Sequence, residues 1–259
     1  MVAGKAGVML EARSLTVSMG GKTVCRELSF AVQSGECWGV LGQNGAGKST
    51  LLRTLAGLHQ PDSGEVRWGK SLLTNIPRRE LAQQLGVLLQ SEGGEFWGSV
   101  LDYVLLGRFP HRRALFGYRT DDEAIARQAM AAMDLSELAQ RPLNQLSGGE
   151  RQRAAIAQLL AQQAQCLLLD EPLQHLDLRH QAQVMELLSG MKSRAVFMVL
   201  HDLLWAQRCC DHLLLMFPDG QVLAGASAEL LTCEHLEALY QCRLRVAEVE
   251  GERCFLPGV

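Results

Sequence analysis

The chain has 259 residues, a formal net charge of −3, 47% hydrophobic and 20% charged residues. That length buries a sizeable core, in one large domain or in a domain that carries an inserted lobe. The weak negative charge excludes a chain that binds nucleic acid through a basic surface overall, so no nucleic-acid partner is expected. No apolar run approaches the roughly 18 residues that span a bilayer.

The N-terminal MVAGKAGVMLEARS lacks an apolar h-region, so no signal peptide is expected. Residues 8–32 alternate and carry the pair Gly20–Gly21, which predicts two or three β-strands with a hairpin. CWGVL at 37–41 reads as a short apolar strand, GQNGAGKST follows it, and STLLRTLAGL has helical periodicity. PDSGEVRWG at 61–69 reads as turn, strand and turn, and LGVLLQ at 85–90 as a further strand. From about residue 92 to 160 apolar residues recur at helical spacing through SVLDYVLLG, DDEAIARQAMAAMDLSELA and GERQRAAIAQLLAQQ, predicting a helical lobe set between strands. CLLLDEP at 166–172, AVFMVLHD at 195–202 and HLLLMFPDG at 212–220 return to strands. With the helices between them they give an α/β chain with a mostly parallel sheet. Residues 241–259 alternate weakly and predict a final short strand pair. No repeat or linker interrupts 1–259, which is read as one domain. The eight cysteines lie mostly in apolar runs without a CxxC pair, as expected for buried, reduced thiols of a cytosolic protein.

GQNGAGKS fits G-x-x-x-x-G-K-[ST] between a strand and a helix. In that setting consecutive N–H groups of the loop wrap phosphates and the helix N-terminus adds its dipole. Gly45 and Gly47 are read as positions where a side chain would crowd this nest. Lys48 would pair with the β- and γ-phosphates and Ser49 would ligate Mg²⁺. CLLLDEP then ends an apolar strand in two carboxylates. Asp170 is placed to hold Mg²⁺, and Glu171 to polarise an attacking water. Together the two motifs predict nucleotide hydrolysis.

LSGGERQR, residues 146–153, is a second glycine-rich segment opening a helix near Glu150. A cap role for Ser147 explains the serine but neither glycine. In this order with the first loop and CLLLDEP, it resembles the signature of ATP-binding-cassette (ABC) ATPases. The resemblance covers nearly the whole chain. It implies an α/β P-loop nucleotide hydrolase with a mixed sheet core, an N-terminal antiparallel β-subdomain and an inserted helical subdomain, here 91–160. It implies ATP and Mg²⁺, with Gly42, Asn44, Gly45, Ala46, Gly47, Lys48, Ser49 and Thr50 around the phosphates. In that family two cassettes pair head to tail, so Ser147, Gly148 and Gly149 are implied to contact the γ-phosphate held by Lys48 of a second copy. Gln90 resembles the glutamine that touches Mg²⁺ and the attacking water. His201 resembles the histidine that bonds the γ-phosphate, and Asp177 the aspartate that communicates across the dimer. His175 lies in that same loop. Met19 stands where the family packs an aromatic ring on adenine, and Gln43 where proline is frequent.

One cassette per chain implies a homodimer, and the lack of a membrane span implies separate membrane subunits. YVLLGRFPHRRALFGYRTDDEAIARQAM, above all the GR-x-P-H-R-x-x-L-F pattern at 107–116, is similar to importers of ferric siderophores, haem and cobalamin. LDLRHQAQVMELL and the C-terminal YQCRLRVAEVEGERCFLPG share that likeness. The expected setting is peripheral, on the cytoplasmic face of the inner or cell membrane. The expected partners are two integral-membrane permease subunits and, indirectly, a periplasmic or extracellular substrate-binding protein. Gln90 with Ser91 to Tyr103 would receive a coupling helix of the permease. The basic run HRRALFGYR is read as solvated or facing anionic headgroups. Two other readings stay open: an importer of another metal or metal chelate, and a soluble cassette switch without transport.

Overall fold

The computed structural model describes residues 8–90, 96–112 and 120–258. Strands β1 (Val8–Met19) and β2 (Lys22–Gln33) form the N-terminal hairpin, so the alternating region holds two strands. Gly20 and Gly21 make its turn at φ 59° and 79°, the left-handed pair that lets a two-residue turn follow the strand twist. With β4 (Ser63–Trp68) and β5 (Ser71–Leu72) they build an antiparallel sheet in the order β2-β1-β4-β5.

A six-stranded sheet forms the centre. Its members are β3 (Cys37–Gly42), β6 (Leu85–Leu88), β7 (Cys166–Asp170), β8 (Ala195–Val199), β9 (His212–Met216) and β10 (Val222–Ala226). The order is β10-β9-β3-β8-β7-β6, parallel except for the edge strand β10. β3, β7 and β8 are buried at every position, because layers cover both faces of a parallel sheet. Alternation along β7 sends Cys166 and Leu168 to one core, shared with the antiparallel sheet and α1 (Lys48–Leu55). Leu167 and Leu169 enter the other, shared with the helical layer. Each fully buried leucine contributes roughly 2 kcal/mol of burial, so these short strands are anchored on two sides.

The helical layer contains α3 (Val100–Leu105), a 3₁₀ segment at Leu106–His111, α4 (Thr120–Ala132) and α5 (Gly148–Ala161). α5 opens at Gly148, two residues before the expected start. α2 (Arg78–Gln84), α6 (Leu178–Ser189), α7 (Leu203–Cys209) and α8 (Ser227–Leu230) join the strands around them. The C-terminus adds α9 (Cys233–Tyr240) and the hairpin of β11 (Leu244–Val249) with β12 (Glu252–Pro257). All eight cysteines are free thiols. No helix among the described residues is long and apolar enough to cross a membrane.

Two strands of the central sheet, β6 and β8, stop one residue before their apolar runs end, and β7 runs one residue past its own. β6 ends at Leu88, β7 at Asp170 and β8 at Val199. Gln90, Glu171 and His201 therefore stand just beyond strand ends, in loops on the edge where parallel strands of open sheets present their ligand groups.

Candidate active site

Gly42 closes β3, and the loop from Gln43 to Gly47 leads directly into α1. Gly47 is the N-cap, at φ 95°, with no side-chain bond to the helix. The first-turn N–H groups of α1 therefore stay available to an anion. Within the chain itself the two glycines serve different needs. At Gly45 a Cβ would meet nothing within 4 Å, and only its φ of 75° favours glycine. At Gly47 a Cβ would lie 2.6 Å from Val24 of β2, so the hairpin presses on the loop. Asn44 is exposed, Ala46 is buried, and Thr50 is half-buried in the first turn of α1. Lys22, in the same hairpin, donates from Nζ to the Gly45 carbonyl at 2.9 Å. Met19 ends β1 beside it and is exposed.

Lys48 is buried, and its Nζ donates to the carbonyls of Gly42 at 2.8 Å and Gln43 at 3.0 Å. Burial lowers its pKa, while the carboxylates of Glu171 and Asp170 pull the other way. The ammonium thus crosses the loop that its own backbone forms. Gln43 sends its amide to the Leu239 carbonyl of α9 at 2.9 Å, tying the loop to the C-terminal segment.

Asp170 is the last residue of β7 and is only 3% exposed. Burial raises its pKa, and a hydrogen bond from Ser49 is the largest opposing influence. Its Oδ1 is buried without a hydrogen-bond partner. Ser49, Gln90 and Asp170 line one cleft of about 520 Å³. A buried carboxylate oxygen without a bond, a neighbouring hydroxyl and an amide oxygen make a hard oxygen-donor set, which fits Mg²⁺.

The raised pKa has a testable consequence. Folding favours the protonated form of Asp170, so its contribution to stability is present at acid pH and lost as pH rises through its folded pKa. Above that pKa the buried charge opposes folding. Asp170→Asn is therefore expected to raise the Tm of the nucleotide-free protein at pH 7.5. That gain should vanish at pH 3. Stabilisation by Mg²⁺ with nucleotide should be lost in the same variant. Thermal melts at both pH values check this, and an unchanged or lower Tm at pH 7.5 would contradict it.

Glu171 follows at φ 50°, an uncommon conformation for a residue with a Cβ. Its Oε1 lies 2.7 Å from His201 Nε2. With a carboxylate opposite, that ring nitrogen is the donor. Gln152 of α5 donates to the carbonyl oxygens of Pro172 at 3.0 Å and Glu171 at 3.4 Å. Sequence reasoning passed over Gln152, although it sits inside LSGGERQR, one helical turn after Gly148.

Ser147 caps α5. Its Oγ accepts from Glu150 N–H at 3.2 Å, and Glu150 Oε2 accepts from Ser147 N–H at 2.8 Å. That bond to the Ser147 N–H is the main cause of the lowered pKa of Glu150. The Ser147 hydroxyl also bonds the Glu150 carboxylate, the second cause of that lowered pKa. Gly149 meets the chain itself: a Cβ there would be 2.9 Å from the His175 carbonyl oxygen. Gly148 and His175 lie on the same cleft as Ser49, Gln90 and Asp170. Asp177 is the N-cap of α6, accepting from His180 N–H at 2.9 Å and lying 2.8 Å from its Nδ1.

Residues 91–95 of the expected coupling surface and 113–119 of the basic run lie outside the described residues. Of the remainder, Trp97 is 79% exposed, and Phe96 meets Tyr103 edge-on at 5.4 Å. The structure thus gathers Ser49, Gln90, Asp170, Gly148 and His175 on one cleft and joins Glu171 to His201. Met19, Ser147 and Asp177 are not among the residues lining that cleft.

Residues 25–174 match the family model described as ABC transporter. The chain is 36% identical over 242 residues to the ferric enterobactin transport ATP-binding protein FepC of Escherichia coli, covering 92% of this chain and 89% of that protein. It is 41% identical over 239 residues to the hemin import ATP-binding protein HmuV of Pseudomonas aeruginosa, covering 90% and 92%. Among solved structures, an inward-facing conformation of a putative metal-chelate type ABC transporter superposes with a TM-score of 0.84 at 29% identity, covering 98% of both chains.

Proposed function

Because the chain belongs to the ABC transporter ATPase family, we propose that it is the ATP-hydrolysing subunit of an importer for an iron chelate, haem or cobalamin. It works as a homodimer on two integral-membrane permease subunits, at the cytoplasmic face of the membrane. A periplasmic or extracellular binding protein delivers the cargo from the other side. The observation that carries this reading is the near full-length match to siderophore and hemin import ATP-binding proteins.

The site residues then take these roles. The N–H groups of the loop from Gly42 to Gly47, with Asn44, Ala46, Ser49 and Thr50 around them, receive the phosphates, and Lys48 turns from the Gly42 and Gln43 carbonyls to the β- and γ-phosphates. Ser49, Asp170 and Gln90 hold Mg²⁺, which when bound neutralises phosphate oxygens. Glu171 orients and deprotonates the attacking water, and His201 holds that carboxylate and reaches the γ-phosphate. Ser147, Gly148 and Gly149 contact the γ-phosphate on a second copy, and Asp177 lies at the junction between copies. Met19, flexible and exposed, contacts adenine through its thioether and stem. ATP binds the closed dimer better than the open one, and that difference drives the permease. Segment 91–103 with Gln90 receives the permease.

The direct test is reconstitution with a siderophore-type permease and binding protein in proteoliposomes. ATP-dependent uptake of a ferric siderophore, haem or cobalamin is expected, together with ATPase activity stimulated by the loaded binding protein. ATPase activity indifferent to the permease, with no uptake of any of the three, would reject the reading.

A further inference from the structure

The GRFPH run is bonded to the far end of the helix that carries the Ser147 loop. α5 spans Gly148–Ala161 and ends at Gln162. The last carbonyls of a helix have no partner within it. Here side chains from the 3₁₀ segment Leu106–His111 supply donors. Arg108 is buried and places Nη1 2.8 Å from the Ala161 carbonyl oxygen and 3.1 Å from Gln163 Oε1. His111 Nε2 lies 2.8 Å from the Gln162 carbonyl oxygen, which makes that nitrogen the donor. Arg108 is itself fixed by a buried ion pair, Nε to Asp122 Oδ1 of α4 at 2.9 Å. Gly107 allows this approach, because a Cβ there would stand 2.1 Å from the Gln158 carbonyl oxygen. The same node reaches the core. Gln83 and Arg79 of α2 donate to the Pro110 carbonyl at 2.8 and 3.0 Å, and Gln162 donates to the Ala82 and Leu85 carbonyls.

From this we infer that Arg108 and His111 are positioning residues for ATP hydrolysis: they fix the C-terminal end of α5 and so the placement of the Ser147–Gly149 loop at its other end. The magnitudes favour this role over simple packing. A 14-residue helix is about 21 Å long at 1.5 Å per residue. A tilt of about 10° at the held end therefore moves the free end by about 4 Å, from the same rise per residue. A misplacement of about 1 Å can cost a reaction about 100-fold. Gln152, five residues into α5, bonds the Pro172 and Glu171 carbonyls, so a displaced α5 also shifts the loop that carries Glu171. The inference rests on the reading that Ser147 contacts phosphate on a second copy.

The test measures kcat and KM for ATP hydrolysis by the full chain carrying His111→Ala, His111→Gln, Arg108→Lys or Arg108→Met with Asp122→Leu. The double variant replaces the buried ion pair by apolar groups, which usually keeps the fold, yet removes the donor to Ala161. Expected is a loss in kcat of about tenfold or more with KM within about threefold, since displacement of the loop affects the reacting arrangement. His111→Gln, which keeps a donor, should recover much of the loss seen in His111→Ala. A kcat within about twofold of the parent in folded His111→Ala and in the folded double variant overturns the inference, as does an equal loss in His111→Gln and His111→Ala. Ser147→Arg is run alongside. If it turns over normally, the reading of that loop fails. If it is inactive while the Arg108 and His111 variants are normal, only the positioning role fails.

Discussion

Glu171→Gln is expected to lower steady-state ATP turnover by about 10²- to 10⁴-fold, the range that a positioned general base contributes, while ATP binding stays within about twofold of the parent. The carboxylate is the one group at the end of β7 that combines partial exposure with a fixed orientation. Asp170 beside it is buried, and Glu171 is turned outward by its φ of 50°. The backbone carbonyls around it are tied by Gln152, and its Oε1 is held by His201. An amide of the same shape keeps a hydrogen-bond acceptor for His201 but cannot take a proton from water. The phosphate contacts do not pass through this side chain, so the variant should bind ATP, close and stay closed. Size-exclusion chromatography with ATP and Mg²⁺ should show a stable dimer, and single-turnover assays should show no product on the parent's timescale. Turnover at the parent rate would remove Glu171 from the role of base.

The parts of this site that the sequence made legible are those carried by contiguous residues under one physical constraint. The run GQNGAGKST between an apolar strand and a helix has few alternatives, because two positions need left-handed backbone. The strand ending in Asp170 and Glu171 was readable from burial followed abruptly by charge. What stayed hidden depends on contacts between distant segments. Beyond its φ, a second reason for glycine at Gly47 is Val24, more than twenty residues away on a hairpin, and no local pattern announces that contact. The sequence pattern overruns the ends of β6 and β8 because Leu89 and Leu200 continue each apolar run past the last paired residue. Gln152 and Arg108 carry no signal of their own. One is a polar residue in a charged helix, and the other stands in a pattern that marks a likeness to importers without saying what its guanidinium touches, until the fold brings carbonyl oxygens to them.

Ser147→Arg is expected to abolish turnover and leave nucleotide affinity within about twofold, because no contact that Lys48 or Asp170 makes in this chain involves Ser147. Loss of the cap costs about 1 kcal/mol, and a guanidinium at the positive end of α5 is repelled by the helix dipole. Neither effect is large enough to unfold a chain of this size. The decisive measurement is complementation. Ser147→Arg keeps a working Lys48, and Lys48→Ala keeps a working Ser147 loop, so each variant alone lacks one half of every site. If the site is built from two copies, mixing the inactive variants creates heterodimers with one complete site and one empty of both halves. Random pairing of equal amounts puts about a quarter of all sites in the complete class, and turnover should recover toward that fraction. A site contained within one chain recovers nothing on mixing, since neither chain holds both groups. Normal turnover by Ser147→Arg alone would show that the second glycine-rich loop is only a helix cap. Its capping box with Glu150 and its close approach to His175 would then be the whole reason for its sequence.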